Sequence, residues 1–195
     1  MEDFVALLEE IRACRVCAEF LPLGPRPVLR ADPAARVLII GQAPGTKVHE
    51  TGIPWNDASG RRLRDWLGLS EEIFYDVSRV AIVPAGLCYP GRDAKGGDKP
   101  PRPECAPLWH PRVLPHLARV ELTLLVGGYA QKLALGERAG TVSGTVQRWR
   151  EFLPDYLPLP HPSWRTLSWE KKNPWFEAEL LPEARRRLAA LLTNP

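Results

Sequence analysis

Four short apolar runs are the feature that most constrains how this 195-residue chain can fold. Arg36 to Ile40, Arg79 to Val83 and Leu122 to Val126 are rich in leucine and β-branched residues, and Tyr156 to Leu159 is a fourth, weaker run. Uninterrupted apolar strands that alternate with helical sequence are typical of a parallel sheet buried on both faces. The pattern predicts an α/β fold of three layers, α/β/α, around a mostly parallel four-stranded sheet. Functional loops are expected at the carboxyl ends of its strands.

Three amphipathic stretches predict helices around this sheet. Phe4 to Ala13 carries apolar residues at helical spacing, the segment from Ser59 to Gly68 is rich in arginine, and Pro174 to Leu192 reads as one long helix with a charged face. Glycine at residue 68 matches the residue with which helices commonly end. The first of these helices is expected to lead directly into a pair of cysteines.

The composition favours one soluble domain. The chain has 26 basic and 23 acidic residues and a net charge of +3, which permits a polyanionic partner without demanding one. It contains no apolar run of about 18 residues, and its acidic start lacks the features of a secretory signal. We therefore expect a single domain over residues 1–195, a cytoplasmic location, no membrane partner and a monomer.

The four cysteines form two pairs of different spacing. Cys14 and Cys17 make a C-x2-C pair, whereas Cys88 and Cys105 stand at the two ends of a loop rich in proline and glycine. Four cysteines can hold either zinc or an iron–sulfur cluster, and spacing alone leaves that choice open. Disulfides are less expected in a reducing compartment, and four unrelated buried cysteines remain the plainest alternative.

Three loop motifs follow predicted strands: GQAPG at 41–45, TGIPWNDASG at 51–60 and LPLPHPS at 157–163. In their order and rough spacing they resemble the uracil-DNA glycosylase superfamily. The resemblance implies a hydrolase of DNA base-excision repair, which cleaves the N-glycosidic bond of uracil or another deaminated base in DNA and leaves an abasic site. DNA is then the partner, double-stranded or single-stranded.

The cysteines are similar to the 4Fe–4S set of the family four and family five enzymes in that superfamily. Those enzymes have a C-x2-C pair before the first strand and a wide pair after the second. The resemblance implies that the cofactor is a 4Fe–4S cluster held by Cys14, Cys17, Cys88 and Cys105.

The chain departs from the family pattern at several positions. Gln42 stands where family four has a glutamate that helps to hold the attacking water, and Ala43 stands where family one has a catalytic aspartate. Pro84 replaces an asparagine that reads the edge of uracil in several subfamilies. Asp57 lies in a segment similar to the family five pattern whose aspartate is needed for activity, so the resemblance implies that Asp57 supplies the missing carboxylate.

The reaction places positive charge on the deoxyribose and negative charge on the departing base. Asp57 is predicted to stabilise the sugar and to position or deprotonate water, and His161 is predicted to donate a hydrogen bond to the base. Without the resemblance, Asp57 reads as a helix N-cap and His161 as a turn residue. Both ordinary interpretations stay open at this point.

A base that must leave the duplex needs a stacking surface and donors shaped to its ring. Trp55 is the predicted platform, although a tryptophan of the core is the alternative. The other predicted base-binding residues are Gly41, Gln42, Ala43, Asn56 and Ser163.

Cations and an aromatic residue after the third motif predict contacts to DNA. Trp164, Arg165 and Lys171 suit phosphate contacts and a wedge for the vacated stack, with a solvated turn as an equal alternative. Arg92 lies in the basic loop between the two distal cysteines, with Lys95, Lys99 and Arg102.

Two rival functions remain. A glycosylase for another lesion, such as hypoxanthine or xanthine, would be compatible with Gln42 and Pro84. A non-catalytic protein that binds lesions or single strands would be compatible with the missing first-loop carboxylate.

Overall fold

The computed structural model describes residues 3–94 and 96–192. Its sheet contains β1 (Val37–Ile40), β2 (Val80–Ile82), β3 (Leu122–Val126) and β4 (Tyr156–Leu159) in the order β2-β1-β3-β4. All three pairings between these strands are parallel. The predicted α/β/α fold with a four-stranded sheet is confirmed, and the sheet in the described part of the chain is wholly parallel.

Helices cover both faces of the sheet. They are α1 (Phe4–Arg12), α2 (Thr46–Thr51), α3 (Ala58–Leu67), α4 (Glu71–Tyr75), α5 (Cys105–Val113), α6 (Gly128–Leu135), α7 (Val142–Gln147), α8 (Leu167–Lys172) and α9 (Leu181–Leu192). No helix among the described residues combines the length and the apolar character needed to cross a membrane.

The segment predicted as one long helix from Pro174 to Leu192 is helical from Phe176 to Leu192, but its first part is not α-helical. A π-helical turn occupies Phe176–Leu180, and regular α-helix begins only at Leu181. Pro182 has no amide hydrogen, so it cannot donate the α-helical hydrogen bond to the carbonyl four residues earlier. The proline therefore explains why the α-helical pattern starts late.

Alternate side chains of each strand enter opposite halves of the core. On β1, Val37 and Ile39 pack on the side of α3 and α9, whereas Leu38 and Ile40 pack on the side of α1, α5 and α6. A strand covered on both faces has no reason to alternate apolar with polar residues. This is why the four strands appear in the sequence as continuous apolar runs.

The two outer strands of the sheet, β2 and β4, are restricted in different ways from pairing with a further strand. Beyond β2, Arg30 forms an antiparallel bridge with Ile82, in which its amide donates to the Ile82 carbonyl at 2.9 Å. At the opposite side β4 contains Pro158, which has no amide hydrogen to offer to a further strand.

Candidate active site

A pocket lies at the carboxyl ends of β1, β2 and β4 and encloses about 600 Å³, counting its open mouth. Loops after parallel strands converge at that end of the sheet, which is where α/β proteins commonly bind ligands. The polar and aromatic groups of its wall are Gln42, Trp55, Asp57, Ser59, Asp98 and His161, and the backbone of Gly41 to Gly45 completes it.

Asp57 is both the N-cap of a helix and part of the pocket wall. Its Oδ1 accepts a hydrogen bond from the Gly60 amide at 2.8 Å, so the residue is the N-cap of α3. It also lines the pocket. The N-cap interpretation of the sequence is thus correct, and it is compatible with a second role, because the cap fixes the carboxylate beside the pocket.

Trp55 is held in an unusual backbone conformation against the pocket. Its φ is 57°, the one positive φ found at a non-glycine residue in the described chain. A Cβ on Gly41 would lie 2.8 Å from the Trp55 ring, and a Cβ on Gly60 would lie 1.6 Å from the Trp55 carbonyl oxygen. Both glycines therefore make room for this tryptophan, which also packs on the core.

The Trp55 ring stands beside His161, with the two ring centroids 5.8 Å apart and the planes tilted by 35°. Burial lowers the pKa of His161, and the carboxylates of Asp57 and Asp98 oppose that shift. Because the lowering by burial dominates, the imidazole is neutral in the upper part of its usual titration range and above it. A neutral imidazole can still donate one hydrogen bond.

Buried and partly buried polar side chains hold the loop that carries His161. Arg62 on α3 donates to the Ser163 carbonyl at 2.7 Å and to both carboxylate oxygens of Glu170 at 2.6 Å. Gln131, which is 1% exposed, donates to the Leu159 carbonyl at 2.9 Å. Sequence reasoning missed all three side chains, because nothing in a single sequence pairs residues so far apart along it.

The first motif loop is tied to the segment that follows β2. The carbonyls of Gly41 and Gln42 accept hydrogen bonds from the amides of Ala85 and Gly86, each at 2.9 Å. The Gln42 side chain donates to the Lys99 carbonyl at 3.0 Å. Gln42 therefore lines the pocket, but its side-chain amide group is hydrogen-bonded to a neighbouring loop.

Two residues predicted to bind the base lie apart from the pocket wall. Ala43 lines the pocket, as do Gly41 and Gln42, whereas Asn56 and Ser163 are partly buried outside its lining. Ser163 takes part in the site through its backbone, which Arg62 holds.

Asp98 is a pocket residue that sequence reasoning missed. It lies on a hairpin in which Arg92 and Asp98 form an antiparallel bridge and the Lys99 amide donates to the Gly91 carbonyl at 2.9 Å. A Cβ on Gly45 would lie 3.5 Å from its Oδ2. The residue as a whole is exposed, yet its carboxyl lies against the wall, where partial burial raises its pKa.

Other charges act on the Asp98 carboxyl as well. Arg92 and His161 lower its pKa, while Asp57 and Asp93 raise it, and the net shift is upward. Asp57, Asp98 and His161 thus influence one another across a single pocket.

The four cysteines converge on a second pocket. Cys14, Cys17, Cys88 and Cys105 line it together with mainly apolar residues, around about 430 Å³ of space that includes its opening. No disulfide joins them. Burial, the largest cause in each case, raises the pKa of Cys88 to about 12 and that of Cys105 to about 11.

The chemistry of this cysteine pocket fits a group bound through sulfur. The Leu87 amide donates to the Cys105 sulfur at 3.3 Å, and the backbone of Arg26 donates to Cys88. Such donors favour the thiolate form that metals require. Across the described residues no three His, Cys, Asp or Glu side chains stand close enough to share one metal ion.

The residues predicted to contact DNA lie on the surface. Trp164 is 74% exposed directly after the His161 loop, and the Arg165 guanidinium lies 5.5 Å from its ring centroid. Lys171 on α8 and Arg92 on the hairpin are also exposed. Lys95 lies outside the described residues.

A comparison with protein families matches residues 30–185 to a model described as the uracil DNA glycosylase superfamily. The matched region includes the whole active-site pocket apart from Val28, together with Cys88 and Cys105. Cys14 and Cys17 precede it.

Proposed function

Because the chain belongs to the uracil DNA glycosylase superfamily, we propose that it hydrolyses the N-glycosidic bond of uracil or another deaminated base in DNA and leaves an abasic site. The observation that carries this proposal is the pocket that brings a carboxylate, a neutral imidazole and an aromatic ring to the carboxyl ends of the strands.

Asp57 acts on the sugar. As the C1′–N bond stretches, positive charge develops on the deoxyribose, and a fixed carboxylate stabilises it. The hydrogen bond from the Gly60 amide fixes one oxygen of Asp57, which leaves the second oxygen for the substrate.

His161 acts on the base. Negative charge develops on the departing ring, and the neutral imidazole donates a hydrogen bond to it. Burial, which keeps His161 neutral, also strengthens that hydrogen bond by excluding water. The Trp55 ring beside it provides the surface on which the extruded base stacks.

Within the same proposal, Cys14, Cys17, Cys88 and Cys105 hold a 4Fe–4S cluster. Backbone donors to Cys88 and Cys105 and the apolar wall of their pocket support this assignment. Such a cluster would cross-link the amino-terminal segment to the loop after β2. Visible absorbance with iron and sulfide analysis tests it, and stoichiometric zinc would contradict it.

Pro84 bears on which lesion the protein prefers. Proline offers no donor at the position where an asparagine reads uracil in several subfamilies, and its carbonyl already accepts a hydrogen bond from buried His110 at 3.0 Å. This observation favours, as a second candidate, a glycosylase for another deaminated base such as hypoxanthine or xanthine.

Base release from duplexes that each contain one lesion tests both candidates. The panel consists of uracil opposite guanine, uracil opposite adenine, uracil in a single strand, hypoxanthine and xanthine, with undamaged DNA as control. Release of uracil alone supports the first candidate, and release of a purine lesion with little uracil supports the second. Binding of lesion DNA without release of any base would contradict both and indicate a non-catalytic binder.

A further inference from the structure

The active-site pocket contains a second carboxylate besides Asp57. Asp98 reaches it from the hairpin in which Arg92 pairs with Asp98, which belongs to the loop between Cys88 and Cys105. Its Oδ2 lies close to the backbone of Gly45, at the end of the first motif loop. Asp98 is therefore placed by the fold beside the residues that the proposed function uses, although no motif includes it.

Gln42 holds this hairpin against the pocket. Its Nε2 donates to the carbonyl of Lys99, the residue after Asp98, at 3.0 Å. A glutamate at position 42 in its ionised form has no hydrogen to donate to that carbonyl. The Gln42 amide therefore cannot act as a base itself, but it holds in place the hairpin that carries the Asp98 carboxylate, which can.

The Asp98 carboxyl is available to a small ligand. No described residue donates a hydrogen bond to it, and the charges that act on it come from Arg92, His161, Asp57 and Asp93. Asp98 is an exposed residue, whereas Asp57 is only partly exposed and is fixed by the N-terminus of α3. Water can therefore reach Asp98 more readily than it can displace the cap of Asp57.

We propose that Asp98 is the base that accepts a proton from the attacking water, while Asp57 stabilises the sugar. This inference rests on the proposed function and deepens it, because it divides the work of that same site between two carboxylates.

The step balances without a further reactant. A water oxygen forms a bond to C1′ as the C1′–N bond breaks, and the electron pair of that bond leaves with the base. One proton of the water passes to the Asp98 carboxylate. Asp98 then releases the proton to solvent, and the base anion, held by the His161 hydrogen bond, takes one up.

The upward shift of the Asp98 pKa agrees with this division. A general base is most effective when its pKa approaches the working pH, and a pair of carboxylates in different environments separates into two roles. Burial and the neighbouring Asp57 both raise the pKa of Asp98.

Single-turnover base release by Asp98→Asn tests the proposal, with the lesion that the wild-type protein cleaves best. We expect a loss of about 10²–10⁴-fold, the usual contribution of a general base, with unchanged binding of DNA that contains an abasic-site analogue. The acid limb of the wild-type pH–rate profile should change in Asp98→Asn, because one of the two carboxylates that must be ionised is gone, and a merely structural residue would not cause this change. Asp98→Glu should restore part of the rate.

Asp93→Asn is the matched control. It lies on the same hairpin, changes the charge equally, and keeps an oxygen to accept the hydrogen bond that the Gly97 amide donates to Asp93 at 2.9 Å. Its rate should stay near that of the wild type. If Asp98→Asn releases base at the wild-type rate with an unchanged pH profile, the inference is wrong and the proposed function stands. If the wild-type protein itself releases no base, both are wrong.

Discussion

The active-site pocket and the cysteine pocket are built in contrasting ways from neighbouring parts of the chain. The first is lined by carboxylates, an imidazole and an amide, and the second by four sulfurs in an apolar wall. One loop serves both, since its ends are Cys88 and Cys105 and its hairpin carries Asp98. Cysteines that share a site are conspicuous in a sequence by their rarity and spacing, whereas a carboxylate that enters a pocket from a loop resembles any surface aspartate.

Apart from Asp98→Asn, removal of Asp57 should have the largest effect on base release, and it concerns the active-site pocket alone. Asp57→Asn keeps an oxygen for the Gly60 amide but loses the charge, so base release should fall by about 10²–10³-fold with little change in stability. Asp57→Ala should lose as much activity and in addition about 1 kcal/mol of unfolding free energy, because the helix cap is lost. Single-turnover kinetics and urea unfolding measure the two effects. An Asp57→Asn protein of wild-type rate would contradict the role of Asp57.

Gly60→Ala should be the most destabilising small change at the active-site pocket. Alanine usually stabilises a helix relative to glycine, but here its Cβ would lie 1.6 Å from the Trp55 carbonyl oxygen, so backbone must move. We expect a loss of about 3 kcal/mol or more in unfolding free energy, measured by urea denaturation. Gly140→Ala, whose Cβ would meet its nearest neighbour at 3.9 Å, is the control and should change stability little. Equal stability of the two variants would contradict the close packing of Trp55.

Cys88→Ser should show how far the two pockets depend on each other. If the cysteine pocket holds a cluster, this variant should lose bound iron and about 2 kcal/mol or more of stability, because binding energy contributes to folding. We also expect slower base release, since the loop that carries Asp98 loses an anchor. Iron analysis, thermal unfolding and single-turnover kinetics report the three effects. Loss of iron with an unchanged rate would show that the two pockets function independently.

The pH dependence of stability should give the smallest effect. Burial lowers the pKa of His161 in the folded protein, so the unfolded chain binds its proton more readily. The contribution of His161 to the free energy of unfolding is therefore complete above the ordinary histidine pKa of about 6.5. It is lost as the pH falls from there through the pKa of His161 in the folded protein. His161→Asn should weaken this dependence, measured as the unfolding midpoint between about pH 5 and pH 7.5. Buried His110 contributes with the same sign and should keep part of it. An unaltered pH dependence in His161→Asn would contradict the buried, neutral state of the imidazole.

Continuous apolar runs made the sheet predictable. Leu122 to Val126 and Tyr156 to Leu159 have the bounds expected of them, because strands covered on both faces need no polar residues. The start of α9 was not predicted, because the effect of Pro182 on the hydrogen bonds before it depends on how the preceding turn closes. The place of Asp57 and His161 in one pocket follows from motifs at strand ends, while their roles stay predictions.

Long-range pairs set the limit of what the sequence could reveal about the site. The ion pair of Arg62 with Glu170 joins α3 to α8, and each residue alone resembles an ordinary charge on a helix. Asp98 lies in a segment rich in glycine and charge, which predicts a loop but not the direction in which the loop folds. The cluster and the preferred lesion likewise stay predictions.

The outer strands of the sheet have a consequence for the behaviour of the protein in concentrated solution. An open strand edge can recruit strands from other molecules and so start aggregation. Here Arg30 already occupies backbone groups beside β2, and Pro158 interrupts the row of donors on β4. These two features restrict growth of the sheet from one molecule to the next. The parallel sheet that supports the active-site pocket can thus be strongly apolar without promoting aggregation through its edge strands.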